Sequence, residues 1–360
     1  MIKKTTKKTM AKKPIVKSHA SKKAAIKNVV VKKRRVQKGA AKKAVAKKPA
    51  KRVVKKVAPA TPLSAKFIVQ PVAPELSKKE KKKRVGKLHK SVTNREFKIL
   101  IKPLGLDRRN RIDELSTKLM IFCKKQGVHF AHLDNVTTGL RTVYFFDTPN
   151  EDLRNHNLIL RVRESREDVW IDDWCEVTFK CRARDVGASL AFNTLPSGKA
   201  KSRARFKEEI LRGDAIGSQR QIYSNNAILD AVPVDEIFSH SLSSAMMMFP
   251  TLNKLGLPKN TPLDVVGGTK NKILEACLPL GNLVFGAGVQ AHCEVAIWMR
   301  SVGEPIVGEL AFSYHVNDKN RKEAKAHKRA DKFFNALQIE FANWIEVGST
   351  KTALVYGKPE

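Results

Sequence analysis

Acidic residues are nearly missing from the first quarter of this 360-residue sequence: residues 1–90 hold only Glu75 and Glu80 against 32 Lys and Arg, a net +30. The rest of the chain holds 38 basic and 32 acidic residues, so only +6 of the overall +36 belongs to it. Aromatics are equally scarce in the first part, where Phe67 stands alone. Such a stretch cannot bury enough apolar surface to offset the entropy of ordering, and its like charges repel, which predicts an extended, disordered tail over 1–90. Cysteine is sparse too. Cys123, Cys175, Cys181, Cys277 and Cys293 form no Cys-x-x-Cys pair and no zinc spacing, so they read as reduced core thiols. No apolar run reaches the ~18 residues of a membrane span, and the N-terminus lacks both a secretory apolar core and the Arg/Ser-rich composition of a transit peptide. The expectation is a cytoplasmic chain with no membrane partner, associated with nucleoid or nucleic acid through its tail.

The tail cycles through Lys-Lys, Ala, Val and Pro, as in Ala41-Lys42-Lys43-Ala44-Val45-Ala46-Lys47-Lys48-Pro49. Its composition resembles that of histone-like tails. Flexible polycations gain affinity for nucleic acid or polyphosphate by counterion release, without defined geometry, so non-specific polyanion binding is expected of it. A solubilising or processed leader is the alternative.

After the tail, period-two alternation takes over. Asn94, Glu96 and Lys98 share one face of a strand whose other face carries Phe97 and Ile99. A helix is predicted over 111–126, and strand resumes at Arg141–Asp147. In 157–164, Arg161 and Arg163 point the same way; in 174–182, Glu176, Thr178, Lys180 and Arg182 oppose Cys175, Val177, Phe179 and Cys181; in 202–210, Arg203, Arg205, Lys207 and Glu209 face together. The solvated faces of a sandwich alternate likewise. Here, however, long charged groups recur from strand to strand with few neutral positions, a pattern suited to a polyphosphate: Arg and Lys fork onto phosphate oxygens, and Glu supplies hard oxygen ligands for Mg²⁺ or Mn²⁺.

These segments resemble a known family. Asn94-x-Glu96-x-Lys98 is similar to the Glu-x-Glu-x-Lys signature of the CYTH domain, or triphosphate tunnel metalloenzyme, superfamily, with Asn in place of the first Glu. Tyr144-Phe145-Phe146-Asp147-Thr148-Pro149, Leu160-Arg161-Val162-Arg163, Glu176-x-Thr178-x-Lys180 and Arg205-x-Lys207-x-Glu209 resemble its further strands, and Gly308–Phe312 its last one. The resemblance covers about residues 92–357. It implies an α+β fold: an antiparallel eight-stranded β-barrel, or tunnel, with peripheral helices, occupying 91–360 behind the tail. Helices suggested by the Ala/Leu/Ile/Met-rich spacing make a helical insertion at about 222–280. A strand is expected over 283–300, with Glu294 and Arg300 as candidate tunnel residues, and an amphipathic helix over 319–344. His292 reads as structural, and Lys351, in a Ser-Lys segment like that of polyphosphate-associated members, as a phosphate contact.

The resemblance implies binding and divalent-metal-dependent hydrolysis of a triphosphate or polyphosphate, a phosphoanhydride hydrolase. Glu96 and Lys98 are the catalytic candidates. Arg161, Arg163, Lys180, Arg182, Arg205, Lys207 and Arg300 would grip phosphates, and Glu96, Glu176, Glu209 and Glu309 would hold Mg²⁺ or Mn²⁺. Adenylate cyclase and RNA triphosphatase activities stay open. The departures weaken the metal site: Asn94 brings no charge, Lys207 replaces a ligand with a cation, and Ala311 and Ser313 stand where acids are usual. The alternatives are a non-catalytic polyphosphate or nucleic-acid binding protein with a degenerate tunnel, and a nucleoid-associated protein whose folded part is an anchor.

Overall fold

The structure, a computed structural model, describes residues 91–133, 138–167, 170–198, 202–233, 241–268, 271–316, 323–347 and 350–357. The tail of 1–90, residues 319–322 of the expected C-terminal helix, and Ser349 lie outside them.

Eleven strands make one sheet. They are β1 (Asn94–Ile101), β2 (His129–His132), β3 (Gly139–Asp147), β4 (Leu158–Glu167), β5 (Trp170–Ala183), β6 (Ser202–Arg212), β7 (Gln219–Pro233), β8 (Asp264–Val265), β9 (Ile273–Gly286), β10 (Val289–Met299) and β11 (Pro305–His315). Helices are α1 (Arg109–Lys125), α2 (Asp152–Asn155), α3 (Val186–Ser189), α4 (Leu242–Met248), α5 (Glu323–Glu340) and α6 (Lys351–Tyr356), with a 3₁₀ turn at Pro250–Leu255. None is long and apolar enough to cross a membrane.

The strand order is β2-β9-β10-β11-β1-β6-β7-β5-β4-β3-β8, and a further β9–β3 pairing joins nine of the strands into a closed ring. The closing seam is short. β3 meets β9 only from Gly139–Val143 to Ile273–Cys277; β2 takes the remaining edge of β9, and β8 that of β3. This corrects the expected eight-stranded antiparallel barrel in two respects. The ring has nine strands, and the sheet is mixed, because β1 runs antiparallel to β11 but parallel to β6. Strands joined by a tight turn must be antiparallel, whereas β1 and β6 are separated by three other ring strands, so no local turn dictates their direction.

Alternation places apolar side chains outside the ring and charged ones inside it. In β1, Phe97, Ile99 and Ile101 are fully buried in the core under α1 and α5, while Glu96, Lys98 and Leu100 line the interior. Phe97 stacks on Phe312 at 4.5 Å and meets Phe334 of α5 at 5.3 Å. A second core covers β4 and β5 on the far side, where Phe179 packs on Phe249 at 4.8 Å beside α4. Helix α1 buries Ile112, Leu115, Leu119, Phe122 and Cys123, the stripe expected of its 3.6-residue period. It stops at Gly127, in the left-handed region (φ +62), as the Val128 N–H bonds back to the Cys123 carbonyl at 2.9 Å. All five cysteines are free, four of them buried.

The helical insertion at 222–280 is overturned over most of its length: 219–233 is strand β7, 273–286 is strand β9, and among the described residues between them α4 and the 3₁₀ turn are helical. In β7 the interior positions include Arg220, Asn226 and Ile228, while Ala227 and Leu229 are buried on the other face. From Ile222 to Pro233 only Asp230 is charged, so alternation leaves little trace in the sequence. The single strand expected over 283–300 is a hairpin, with Ala287 (φ 52) and Gly288 (φ 82) forming the tight two-residue turn between β9 and β10. Gly281, at φ +146, lets β9 approach β2; an added Cβ would collide with the Ala131 carbonyl.

Candidate functional site

The ring encloses a cavity of about 520 Å³. Thirteen Lys and Arg side chains line it against eight Asp and Glu, a surplus of five positive charges. Its ionic groups fall into two clusters, each built round one fully buried carboxylate.

The first centres on Glu209, 1 % exposed, which sits beside Glu96 in the parallel β1–β6 register. Its oxygens lie 2.6 Å from Lys180 Nζ, 3.1 Å from Arg182 Nη2 and 3.6 Å from Lys98 Nζ. Lys98 in turn lies 2.8 Å from Glu96, which Lys207 approaches at 3.2 Å. The second centres on Glu275, with no exposed surface. Arg141 meets it at 2.5 Å, Arg163 and Lys351 each at 3.4 Å, and Trp298 Nε1 donates to it at 2.8 Å. Around this core, Glu176 pairs with Arg163 and Arg203, each at 3.1 Å, and Lys351 with Glu309 at 2.8 Å.

Burial opposes charge on every one of these groups, and the outcome depends on how many opposite charges each receives. Glu209 and Glu275 lie well below the usual carboxylate range despite their burial, the first held by Lys180, Lys98 and Arg182, the second by Arg163, Lys351 and Arg141. Lys207 and Lys98 likewise hold the Glu96 carboxyl well down. Some cations are left short of partners. Burial, with Arg182 and Lys98 adding to it, pushes the Lys180 ammonium down to about 7, although Glu209 opposes the shift. Burial, then the Arg163 charge, pushes Arg161 down to about 9, so it stays charged at neutral pH. Arg161 donates to Thr178 Oγ1 at 3.0 Å, yet its buried Nε has no acceptor. The Arg205 guanidinium makes no hydrogen bond or ion pair among the described residues.

Of the residues singled out in the sequence, Glu96, Lys98, Arg161, Arg163, Glu176, Lys180, Arg182, Arg205, Lys207, Glu209 and Glu309 all line the cavity, as do Glu294 and Lys351. Arg300 does not. By alternation it should follow Ala296 and Trp298 inward, but the β10–β11 register slips at Trp298/Met299 and the strand ends, leaving Arg300 exposed with Asn271 Oδ1 3.4 Å from its guanidinium. Asn94 is buried outside the lining, its amide held by Thr93 and His315 at 2.9 and 3.1 Å. Sequence reasoning missed Glu275 and Arg141. A lone Glu in the apolar run Ile273–Leu280 was the available signal.

Among the described residues no three His, Cys, Asp or Glu side chains converge on a point. Glu96, Glu176, Glu209 and Glu309, expected as one ligand set, each lie within 3.2 Å of at least one Lys or Arg nitrogen.

No family model matches the chain, and no curated protein matches it. Among solved structures, the chain is similar to a Hippeastrum protein proposed as an adenylyl cyclase and described as having a dominant triphosphatase activity, at 12 % identity and TM-score 0.38, covering 75 % of this chain and 98 % of that one. A Bacillus halodurans protein proposed as an adenylate cyclase matches at 12 % identity and TM-score 0.33, covering 73 % and 97 %. A Pyrococcus horikoshii protein matches at 12 % and 0.29, covering 68 % and 89 %. Likeness at this level does not reach individual side chains, so the functional reading rests on the cavity itself.

Proposed function

We propose that the ring cavity binds an inorganic triphosphate or a longer polyphosphate chain. The observation that carries this reading is the excess of cations in a buried space, with the Arg161 Nε and the whole Arg205 guanidinium unpartnered among the described residues and Lys180 short of opposing charge. Such an interior is completed by a polyanion, whose oxygens accept from forked guanidinium donors and ammonium groups. The carboxylates keep these cations charged and oriented while the cavity is empty of ligand. Among the described residues no Phe, Tyr or Trp face lies open in the cavity to stack a base: Phe145 and Trp298, which line it, are 4 % and 2 % exposed. The chemistry therefore fits a bare phosphoanhydride chain better than a nucleotide.

Retention is favoured over turnover, because Glu96, Glu176 and Glu209 are all held below their ordinary range by neighbouring cations and make poor general bases. In this reading the +30 segment of residues 1–90 collects polyphosphate or nucleic acid non-specifically. The test is calorimetric titration of the full chain with tripolyphosphate, beside a phosphate-release assay. A single stoichiometric site that disappears in Arg161→Ala/Arg205→Ala, leaving only weak, salt-sensitive binding, supports the reading. A site that survives both substitutions, or ATP bound more tightly than tripolyphosphate, overturns it.

A further inference from the structure

We propose that the ammonium groups of Lys98 and Lys207 act as the cavity's resident cations, so that the polyphosphate chain is held without a divalent metal ion. The inference rests on the polyphosphate reading above and concerns how that ligand is bound. Its basis is an unbroken alternation of charge across three strands: Lys207, Glu96, Lys98, Glu209 and Lys180, with successive N–O separations of 3.2, 2.8, 3.6 and 2.6 Å.

Glu96 and Glu209 are paired neighbours on β1 and β6, two carboxylates facing each other across adjoining strands with a cation between them. A metal ion joining them would have to lie between their oxygens. Lys98 Nζ is there already. Lys207 takes a second position on Glu96, and Arg182 a second on Glu209. Two carboxylates thus meet four cationic side chains, leaving a local excess of one positive charge without the Lys180 proton and two with it, before any ligand enters. A divalent ion would be repelled by that excess in a space where charges interact strongly, and could enter only by expelling lysines whose side chains are 17 % exposed. The same excess attracts phosphate oxygens directly. Mg²⁺ ordinarily links carboxylates to phosphates, and here the lysines make that link.

The design is reversible by one residue. Because Lys207 Nζ lies against Glu96, a carboxylate at 207 would put three acids, with Glu209, round Lys98.

The experiment is tripolyphosphate calorimetry on the full chain in EDTA and in excess Mg²⁺, with Mn²⁺ binding to the ligand-free protein followed by electron paramagnetic resonance. Wild type should bind tripolyphosphate in EDTA, lose affinity in excess Mg²⁺, which competes for the phosphate oxygens, and bind no stoichiometric Mn²⁺. Lys207→Glu should lose roughly 100-fold in affinity in EDTA and acquire one Mn²⁺ site, whereas Lys207→Met should lose affinity without acquiring one. Binding by wild type that vanishes in EDTA and returns with Mg²⁺ or Mn²⁺ overturns the inference and leaves the polyphosphate reading standing. No stoichiometric binding under either condition overturns the reading itself. Should Lys207→Glu not fold, the wild-type comparison of EDTA with Mg²⁺ still decides.

Discussion

The Lys351 ammonium of α6 lies 2.8 Å from the Glu309 carboxylate of β11, tying the last helix to the cavity wall. Its other neighbours are Glu275 at 3.4 Å and the face of Trp298, 4.8 Å from the ring centroid. Lys351 therefore belongs both to the packing of α6 and to the charge balance of the second cluster. Lys351→Ala should weaken tripolyphosphate binding about tenfold, the value of one charge-assisted contact, and lower the melting temperature by a few degrees at most, since Val355 and Tyr356 still anchor α6. Calorimetry and thermal melting of the same sample check both halves. A large melting shift with unchanged affinity would make Lys351 purely structural.

Glu275→Gln removes the negative centre from Arg141, Arg163 and Lys351 while keeping the shape of the side chain. Breaking one partner out of a buried ionic cluster costs about 3–5 kcal/mol, so the variant should be much less stable at low salt. It should also respond to anions more than wild type does. Added sulfate or tripolyphosphate is expected to raise its melting temperature further than that of wild type, because the orphaned cations accept the anion in place of Glu275. Equal stabilisation of the two proteins would contradict this account of the cluster.

Binding should be linked to proton uptake at Lys180. In the free ring its ammonium is held near 7, chiefly by burial, whereas a bound polyanion lifts it back towards the ordinary lysine value of about 10.4. The free protein thus loses its proton first as pH rises, and affinity should fall from about pH 7 upward. The check is calorimetry at pH 8 in two buffers of different ionisation enthalpy. Wild type should take up a proton on binding that Lys180→Arg does not. The comparison with the variant removes the titration of the phosphate chain itself.

The first half of the ring was legible because each strand pairs a charged face with an apolar one. Arg161 and Arg163, or Lys180 and Arg182, stand two residues apart and so share a side in any strand. Strands β7 and β9 escaped because both of their faces are largely uncharged, with Asn226 and Ile228 inside and Ala227 and Leu229 outside, and such a run reads equally well as helix. Glu275 was lost with β9. Arg300 was misplaced for a different reason: alternation holds only while the strand lasts, and a one-residue slip at Met299 changes its side. The pairing of lysines with the acids meant for metal was partly visible at Lys207. That Lys98 stands between Glu96 and Glu209 needed the parallel register of β1 and β6, which no local pattern encodes.

That parallel pair has a consequence for how the chain comes together. β1 is the earliest strand of the ring, yet its partners are residues 207–211 on one edge and 308–315 on the other. Emerging first from the ribosome, it has nothing to pair with for more than a hundred residues, and its second edge stays open until the last strand is made. Hairpins such as β9–β10 can form as soon as they are synthesised, whereas closing the ring means joining distant ends of the sequence, the slow and entropically costly kind of contact. Closure should therefore be the late, rate-limiting event, and Phe97, Ile99 and Ile101 the surface most in need of shielding until it happens.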